Sequence, residues 1–425
     1  MGQDRKITQV GWDCHRRFSQ VSLRSGSGAI MERRRIEHAD RERMRETLRS
    51  WPRGTPVTLE GTFGWGWASD ELAQAGLEPH LASSRKLAAW REARGLAKSN
   101  RLDADLLSGL MSEPERWWEV WLAPRSVRDQ RELLRYRMAL VQTQTAFKNR
   151  MHAILHRYGI LHDFADLFGR DGRRFLQRLA NAKSGPLRES GQITLKGELQ
   201  LLDHLRRQIA EATRLFRRRV RGSAVALRLK TLPGISWILA YMLEAEIGDI
   251  ARFKSSKHLV SYSLLAPRAD DTGYDDGARP LGRHVGFAGR RTLKWAFIEA
   301  AHAAVIKDAR MREFFNRRTE QGRKDRNRGY IAVARRLAVS AFVVWKKEQD
   351  YNPTPPARPG QRPRVQTPRQ ARATKKKETS TQEARATNKR ETSTKEARAT
   401  KKKETSTSRP GTGQPDDAMV PVAAS

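Results

Sequence analysis

Asp13, Glu60 and Asp103 are the residues of this chain whose types and settings suit chemistry on a phosphodiester. Asp13 closes the apolar run Ile7-Thr8-Gln9-Val10-Gly11-Trp12-Asp13, and Glu60 closes Val57-Thr58-Leu59-Glu60 just before Gly61-Thr62-Phe63-Gly64. Asp103 lies in Lys98-Ser99-Asn100-Arg101-Leu102-Asp103-Ala104, where a helix is expected to start. Hard divalent cations bind several carboxylate oxygens converging at strand and helix ends, so the trio points to a metal-dependent nuclease site. A fourth acid is expected one helical turn before Asp103, and that position holds Asn100.

Each acid also has a plainer reading. Asp13 suits a turn after a strand, and Asp103 suits the first turn of a helix, where the macrodipole favours a negative charge. Glu60 is harder to explain this way, because a carboxylate ending a buried strand needs a partner or a cation. The elements that must position the trio are legible in the apolar spacing. Strand-like runs cover Ile7–Cys14, Ser19–Arg24 and Ala29–Glu37, followed by a helix at about 40–50 and the strand Pro56–Glu60. A helix at about 66–75, a short strand near Leu81 and helices at about 84–92 and 101–113 complete an α/β unit over residues 5–124. A three-strand meander followed by alternating helices and strands resembles a ribonuclease H-like (RuvC-like) sheet, in which acids gather at the ends of the first and fourth strands.

Residues 125–224 read as long helices, antiparallel or coiled, with breaks near Gly159, Gly169–Gly172, Gly185 and Gly191. Residues 225–351 read as a mostly helical unit, with a helix ending near Glu246 and two more at about 291–306 and 329–348. The fold class expected is thus α/β plus all-α. From residue 352 the composition changes. Near-copies of Ala-Arg-Ala-Thr-Lys-Lys-Lys-Glu-Thr-Ser-Thr start at Ala371, Ala384 and Ala397, and a stretch this polar cannot offset its chain entropy, so residues 352–425 read as a disordered basic tail.

The net charge of +36 implies a polyanionic partner. The tail does not account for it, because residues 1–351 carry 66 basic against 40 acidic side chains. No apolar run approaches the roughly 18–20 residues that span a bilayer, and Met1-Gly2-Gln3-Asp4-Arg5-Lys6 lacks the apolar core of a signal peptide. The single cysteine, Cys14, excludes an intramolecular disulfide and a Cys-based zinc finger and suits a reducing, cytoplasmic, nucleoid-associated setting.

Three further segments bear on nucleic acid. Leu232-Pro233-Gly234-Ile235-Ser236 reads either as the hairpin of a helix-hairpin-helix element, whose backbone amides grip phosphate, or as an ordinary Pro-Gly turn. The loop from Pro267 through Thr272-Gly273 to Gly282-Arg283, continuing to Gly289-Arg290-Arg291, combines glycines that allow close backbone approach with arginines that pair with phosphates. Trp117, Trp118 and Trp121 suit packing between units better than base stacking.

Together these blocks resemble the transposases of the insertion-sequence-110 type, a family of RNA-guided DNA recombinases. The resemblance runs over about residues 7–351 and includes Gly11-Trp12-Asp13, Glu60-Gly-Thr-Phe-Gly, Asp166-Leu167-Phe168-Gly169-Arg170-Asp171-Gly172, Ala245-Glu246-Ile247-Gly248-Asp249 and Val333-Ala334-Arg335-Arg336-Leu337-Ala338. It implies a RuvC-like domain whose four acids bind Mg²⁺ (or Mn²⁺), a coiled-coil segment and a transposase domain that supplies a serine nucleophile. It also implies double-stranded DNA partners, a structured guide RNA and a homodimer or homotetramer. Asp13, Glu60 and Asp103 match three of the acids, and Asn100 stands at the fourth position. The block Leu264-Leu265-Ala266-Pro267 precedes the family's serine, and the matching pre-glycine residue is Thr272, with Ser261 and Ser263 off the matching position. A threonine hydroxyl can act as a nucleophile. A second reading is a decayed or domesticated member that only binds nucleic acid, and a third is a metal-only junction nuclease.

Overall fold

Alternating apolar residues over Ile7–Cys14 (β1) form the central strand of a six-stranded sheet. The computed structural model describes residues 6–96, 99–113, 119–268, 284–285, 289–320 and 325–353. Phe18–Ser25 (β2) and Ile30–Glu37 (β3) continue from β1 as an antiparallel meander. Arg41–Arg49 (α1) leads to Pro56–Glu60 (β4), which lies parallel to β1 on its other side. Trp65–Gln74 (α2), Glu78–Ala82 (β5), Ser84–Glu92 (α3), Asn100–Gly109 (α4) and Glu119–Val120 (β6) complete the unit. The strand order β3-β2-β1-β4-β5-β6 is that of a mixed α/β sheet consistent with the ribonuclease H-like arrangement expected. A parallel neighbour for β1 needs a crossover connection, which α1 provides.

The two faces of β1 differ. Val10 and Trp12 are buried in a core with Met44 and Leu48 of α1 and Ala68 and Leu72 of α2. Gly11 and Asp13 point the other way, towards α4, because side chains alternate along a strand. A Cβ on Gly11 would lie 2.0 Å from the Ala104 carbonyl oxygen and 2.4 Å from the Ser108 nitrogen, so only glycine lets α4 rest directly on the strand.

Two 33-residue helices follow, Arg125–Arg157 (α5) and Glu189–Arg221 (α7), with Arg170–Asn181 (α6) between them. Tyr136 donates to Gln208 at 2.9 Å and Arg150 meets Glu198 at 2.8 Å, so α5 and α7 run antiparallel. Helix α7 passes through Gly191, where a break was expected. A helical glycine costs about 1 kcal/mol relative to alanine, but here it makes room for the Tyr158 ring, which a Cβ would approach to 2.9 Å.

The remaining helices are Ala224–Lys230 (α8), Trp237–Ile247 (α9), Ser256–Tyr262 (α10), Arg291–Lys307 (α11), Ala309–Arg318 (α12) and Arg326–Lys346 (α13). Residues Leu239–Leu243 and Ala245–Ile247 of α9 are all buried, as for a helix surrounded by others. Helix α12 was not anticipated, although Met311, Phe314 and Phe315 fall on one face of it. Asp308 caps it by accepting from the Met311 nitrogen at 2.8 Å, and Met311 and Phe315 anchor it in the core. Among the described residues no helix is long and apolar enough to cross a membrane. The tail repeats lie outside the described residues.

Candidate active site

Trp12 of β1 pairs with Leu59 of β4, so Asp13 and Glu60 are the next residues of two adjacent parallel strands and share the face under α4. The direction of α4 follows from its contacts. Ser112, beyond its C-terminus, donates to Gln9 at the start of β1, while Ala104 and Ser108 cover Gly11. The helix therefore runs opposite to β1, and its N-terminal turn, with Asn100 and Asp103, lies at the end of the strands that carries Asp13 and Glu60. The four positions therefore share one end of the sheet.

Burial at this end is uneven. Asp13 is 6% exposed and Asp103 3%, whereas Glu60 is half-buried and Asn100 exposed. Buried carboxylates need compensating groups. His15, two residues beyond Asp13, places Nε2 3.0 Å from its Oδ2, and Arg91 of α3 holds Asp103 with a charge-assisted hydrogen bond from Nη1. Among the described residues no three His, Cys, Asp or Glu side chains form a ready-made metal cage. The donor set still suits a divalent cation: three carboxylates and an amide carbonyl, all hard oxygen ligands, at one end of the sheet. Arg91 occupies Oδ1 of Asp103, one of the two oxygens that this carboxylate could offer a cation. The sequence offered a faint sign of His15 in its spacing from Asp13. It offered none of Arg91, whose contact depends on how α3 packs beside α4.

The other expected residues divide. Thr272 and Arg283 lie outside the described residues, although Pro267–Arg268 (β7) and His284–Val285 (β8) pair antiparallel and close the ends of that segment. Ser263 is fully buried. Gly234 adopts φ +81°, and a Cβ there would lie 2.1 Å from the Ala300 carbonyl oxygen, so the Pro233-Gly234 turn is shaped by close contact with α11. Arg291 is exposed at the start of α11.

Arg290 is engaged within the protein. Its Nε donates to the Tyr262 hydroxyl at 2.9 Å and lies 3.5 Å from Glu246. Glu246 also faces Arg131, whose guanidinium donates at 2.9 Å to the Ala245 and Glu246 carbonyls and thereby ties α5 to α9. Burial, reinforced by the nearby Arg290 charge, pushes Arg131 down to about 10, so it stays charged at neutral pH. At Tyr262 burial alone would raise the phenol, but Arg290 and Arg252 outweigh it and hold the group below its ordinary range. Trp121 packs here, 4.4 Å under the Arg252 guanidinium and against Gly248, as the packing reading expected. Trp117 and Trp118 lie outside the described residues.

Two family models match the chain. Residues 10–160 match the DEDD transposase model of the IS110 group, which spans the acid-bearing sheet and all of α5, and residues 226–316 match the model described as transposase IS116/IS110/IS902 family. A DEDD domain of this kind uses divalent metal. The chain is 25% identical over 348 residues to the transposase for insertion sequence element IS1328 of Yersinia enterocolitica, covering 80% of this chain and 96% of that protein. It is 24% identical over 356 residues to a probable family 20 transposase of Pseudomonas aeruginosa, covering 82% and 99%. Over 126 residues it is 31% identical to the pilin gene-inverting protein of Moraxella bovis, covering 29% and 38%. With both models matched in one chain and two transposase relatives matched almost end to end, the chain belongs to the IS110/IS116/IS902 family of transposases, enzymes that act on DNA.

Proposed function

We propose that this transposase excises and inserts a mobile DNA segment by cutting strands at the sheet end that carries Asp13, Glu60, Asn100 and Asp103, with the Thr272 hydroxyl as nucleophile. The observation that carries this reading is the parallel pairing of β1 with β4 beneath the N-terminal turn of α4. Bound there, a divalent cation, Mg²⁺ or Mn²⁺, would stabilise charge building on the phosphate in the transition state. Asp13 and Glu60 are fixed by the strand pairing and offer their carboxylates without backbone movement. Asp103 and the neutral Asn100 complete the set, the latter adding an oxygen without adding charge. Attack by Thr272 Oγ on the scissile phosphorus forms a phosphothreonine as the bond to the departing sugar oxygen breaks, and the threonine proton passes, through solvent, to that oxygen as it becomes a free hydroxyl. A hydroxyl of the second strand then reverses that step and frees the threonine.

The strongly basic body of the protein supports DNA backbone binding, to which Arg283, Arg291 and the Pro233-Gly234 turn contribute in this reading. A structured RNA that selects the two DNA sites and an assembly of two or four copies belong to the same proposal and rest on the family resemblance. A second reading, binding without strand transfer, draws on Asn100 in place of an acid and on Arg91 seated on Asp103.

A plasmid excision assay with the flanking DNA supplied tests both readings. The first expects Asp13→Ala and Thr272→Ala to abolish excision, and wild-type excision by Thr272→Ala would sink the threonine nucleophile. The second expects an inactive wild type that Asn100→Asp combined with Thr272→Ser restores.

A further inference from the structure

Phe63 is 79% exposed, three residues beyond Glu60, on a turn whose backbone is fixed. The Gly61 nitrogen donates to the Ala82 carbonyl at 3.0 Å and Thr62 to the Glu60 carbonyl at 2.8 Å, while Gly64 at φ +86° turns the chain into α2. The ring is therefore held out beside the acid end by a braced turn between two glycines. It borders a cleft of about 870 Å³ between α2 and α5 that reaches Arg290 and has Trp65 in its wall.

The charge of this cleft narrows what it can hold. Six arginines line it, but Arg128 is paired with Asp70 at 2.5 Å, Arg45 with Glu71 at 2.9 Å, and Arg131 and Arg290 share Glu246. Asp129 and Glu132 line the cleft as well, along with the remaining two arginines, Arg125 and Arg135. In a protein of net charge +36 this cleft sets four lining carboxylates, Asp70, Glu71, Asp129 and Glu132, against its six arginines, so most of its charge is offset, and it is dense in hydrogen-bonding groups and edged by an exposed aromatic ring. A run of phosphates would prefer unpaired cations. A planar, neutral ligand with donors and acceptors on its edge suits it better, and on a DNA-cutting enzyme that ligand is a nucleobase displaced from the helix.

We propose that a base unpaired from the DNA beside the scissile phosphate stacks on Phe63 and enters this cleft. The proposal rests on the acid end being where strands are cut, and it adds that the DNA is locally opened there. Stacking on an aromatic side chain tolerates any base, so Phe63 favours unpaired over paired DNA without reading sequence.

The test uses the full-length protein, a perfect DNA duplex, and the same duplex carrying one unpaired 2-aminopurine, with affinity read by anisotropy at fixed salt and stacking by 2-aminopurine emission. The wild type is expected to favour the unpaired probe by at least about fivefold and to quench its emission. Phe63→Ala should abolish both the preference and the quench while keeping perfect-duplex affinity, and Phe63→Trp should keep both. Equal binding of the two probes by the wild type would overturn the proposal, as would a Phe63→Ala protein that keeps the preference or loses affinity for both probes alike. A preference seen only when the unpaired nucleotide lies in an RNA duplex would also overturn it. Binding is read without turnover, so a protein that cuts nothing still gives an answer.

Discussion

Two groups of buried charges stand in this molecule, and their partners set them apart. At the acid end of the sheet, Asp13 has the His15 ring beside it and Asp103 has the Arg91 guanidinium on it, both of them side chains. In the helical body, Arg131 grips two backbone carbonyls of α9 as well as facing Glu246, which Arg290 approaches from the start of α11. A charge bound to backbone of another element cannot let go without moving that element. One bound to a side chain can exchange its partner for a cation. The first arrangement is built to hold helices together, the second to change ligands.

Substitutions can break or sharpen this contrast. Asp13→Ala is expected to lower plasmid excision by about 10³-fold or more, the several kcal/mol that a metal site supplies in phosphoryl chemistry, with the melting temperature held. Arg131→Ala should do the reverse. It leaves Glu246 short of a partner inside the protein and is expected to destabilise the fold by about 3–5 kcal/mol, read from the denaturant midpoint. A well-folded Arg131→Ala protein that cannot excise would erase the distinction. Gly11→Ala should lower stability by about 1–3 kcal/mol because α4 must lift from β1, and a structure with α4 in place would contradict that. The smallest effect is at the exchangeable pair. Arg91→Gln should tighten Mn²⁺ binding roughly three- to tenfold in calorimetry, the worth of about 1 kcal/mol of lost competition. Unchanged affinity would mean that Arg91 does not guard Asp103.

Much of this was legible in the residues. Period-two apolar runs marked β1, β2 and β4, and period-3.6 runs marked α1 to α4, because burial on one face imprints its repeat on the chain. The same repeats set Asp13 and Glu60 at strand ends and Asp103 in a helix's first turn. What the repeats did not reveal were contacts between elements. Arg290 read as a phosphate ligand, yet its guanidinium lies on Tyr262 and Glu246. Gly191 read as a break, yet it seats Tyr158. The Pro233-Gly234 turn had two readings, and contact with α11 accounts for its glycine.

The sequence by itself determined the order and kind of the main elements of the sheet unit and the identity of the candidate acids, since local periodicity and residue chemistry need no partner to be read, and its ordered blocks carried the family resemblance. Only the tertiary structure decided that Arg91 and His15 occupy those acids and that Arg131 is a brace. It alone showed that Phe63 stands exposed beside a cleft whose arginines are mostly paired. A charged or aromatic side chain looks the same in sequence whether it meets a carbonyl, a carboxylate or open water, and which of these it meets depends on how distant segments pack.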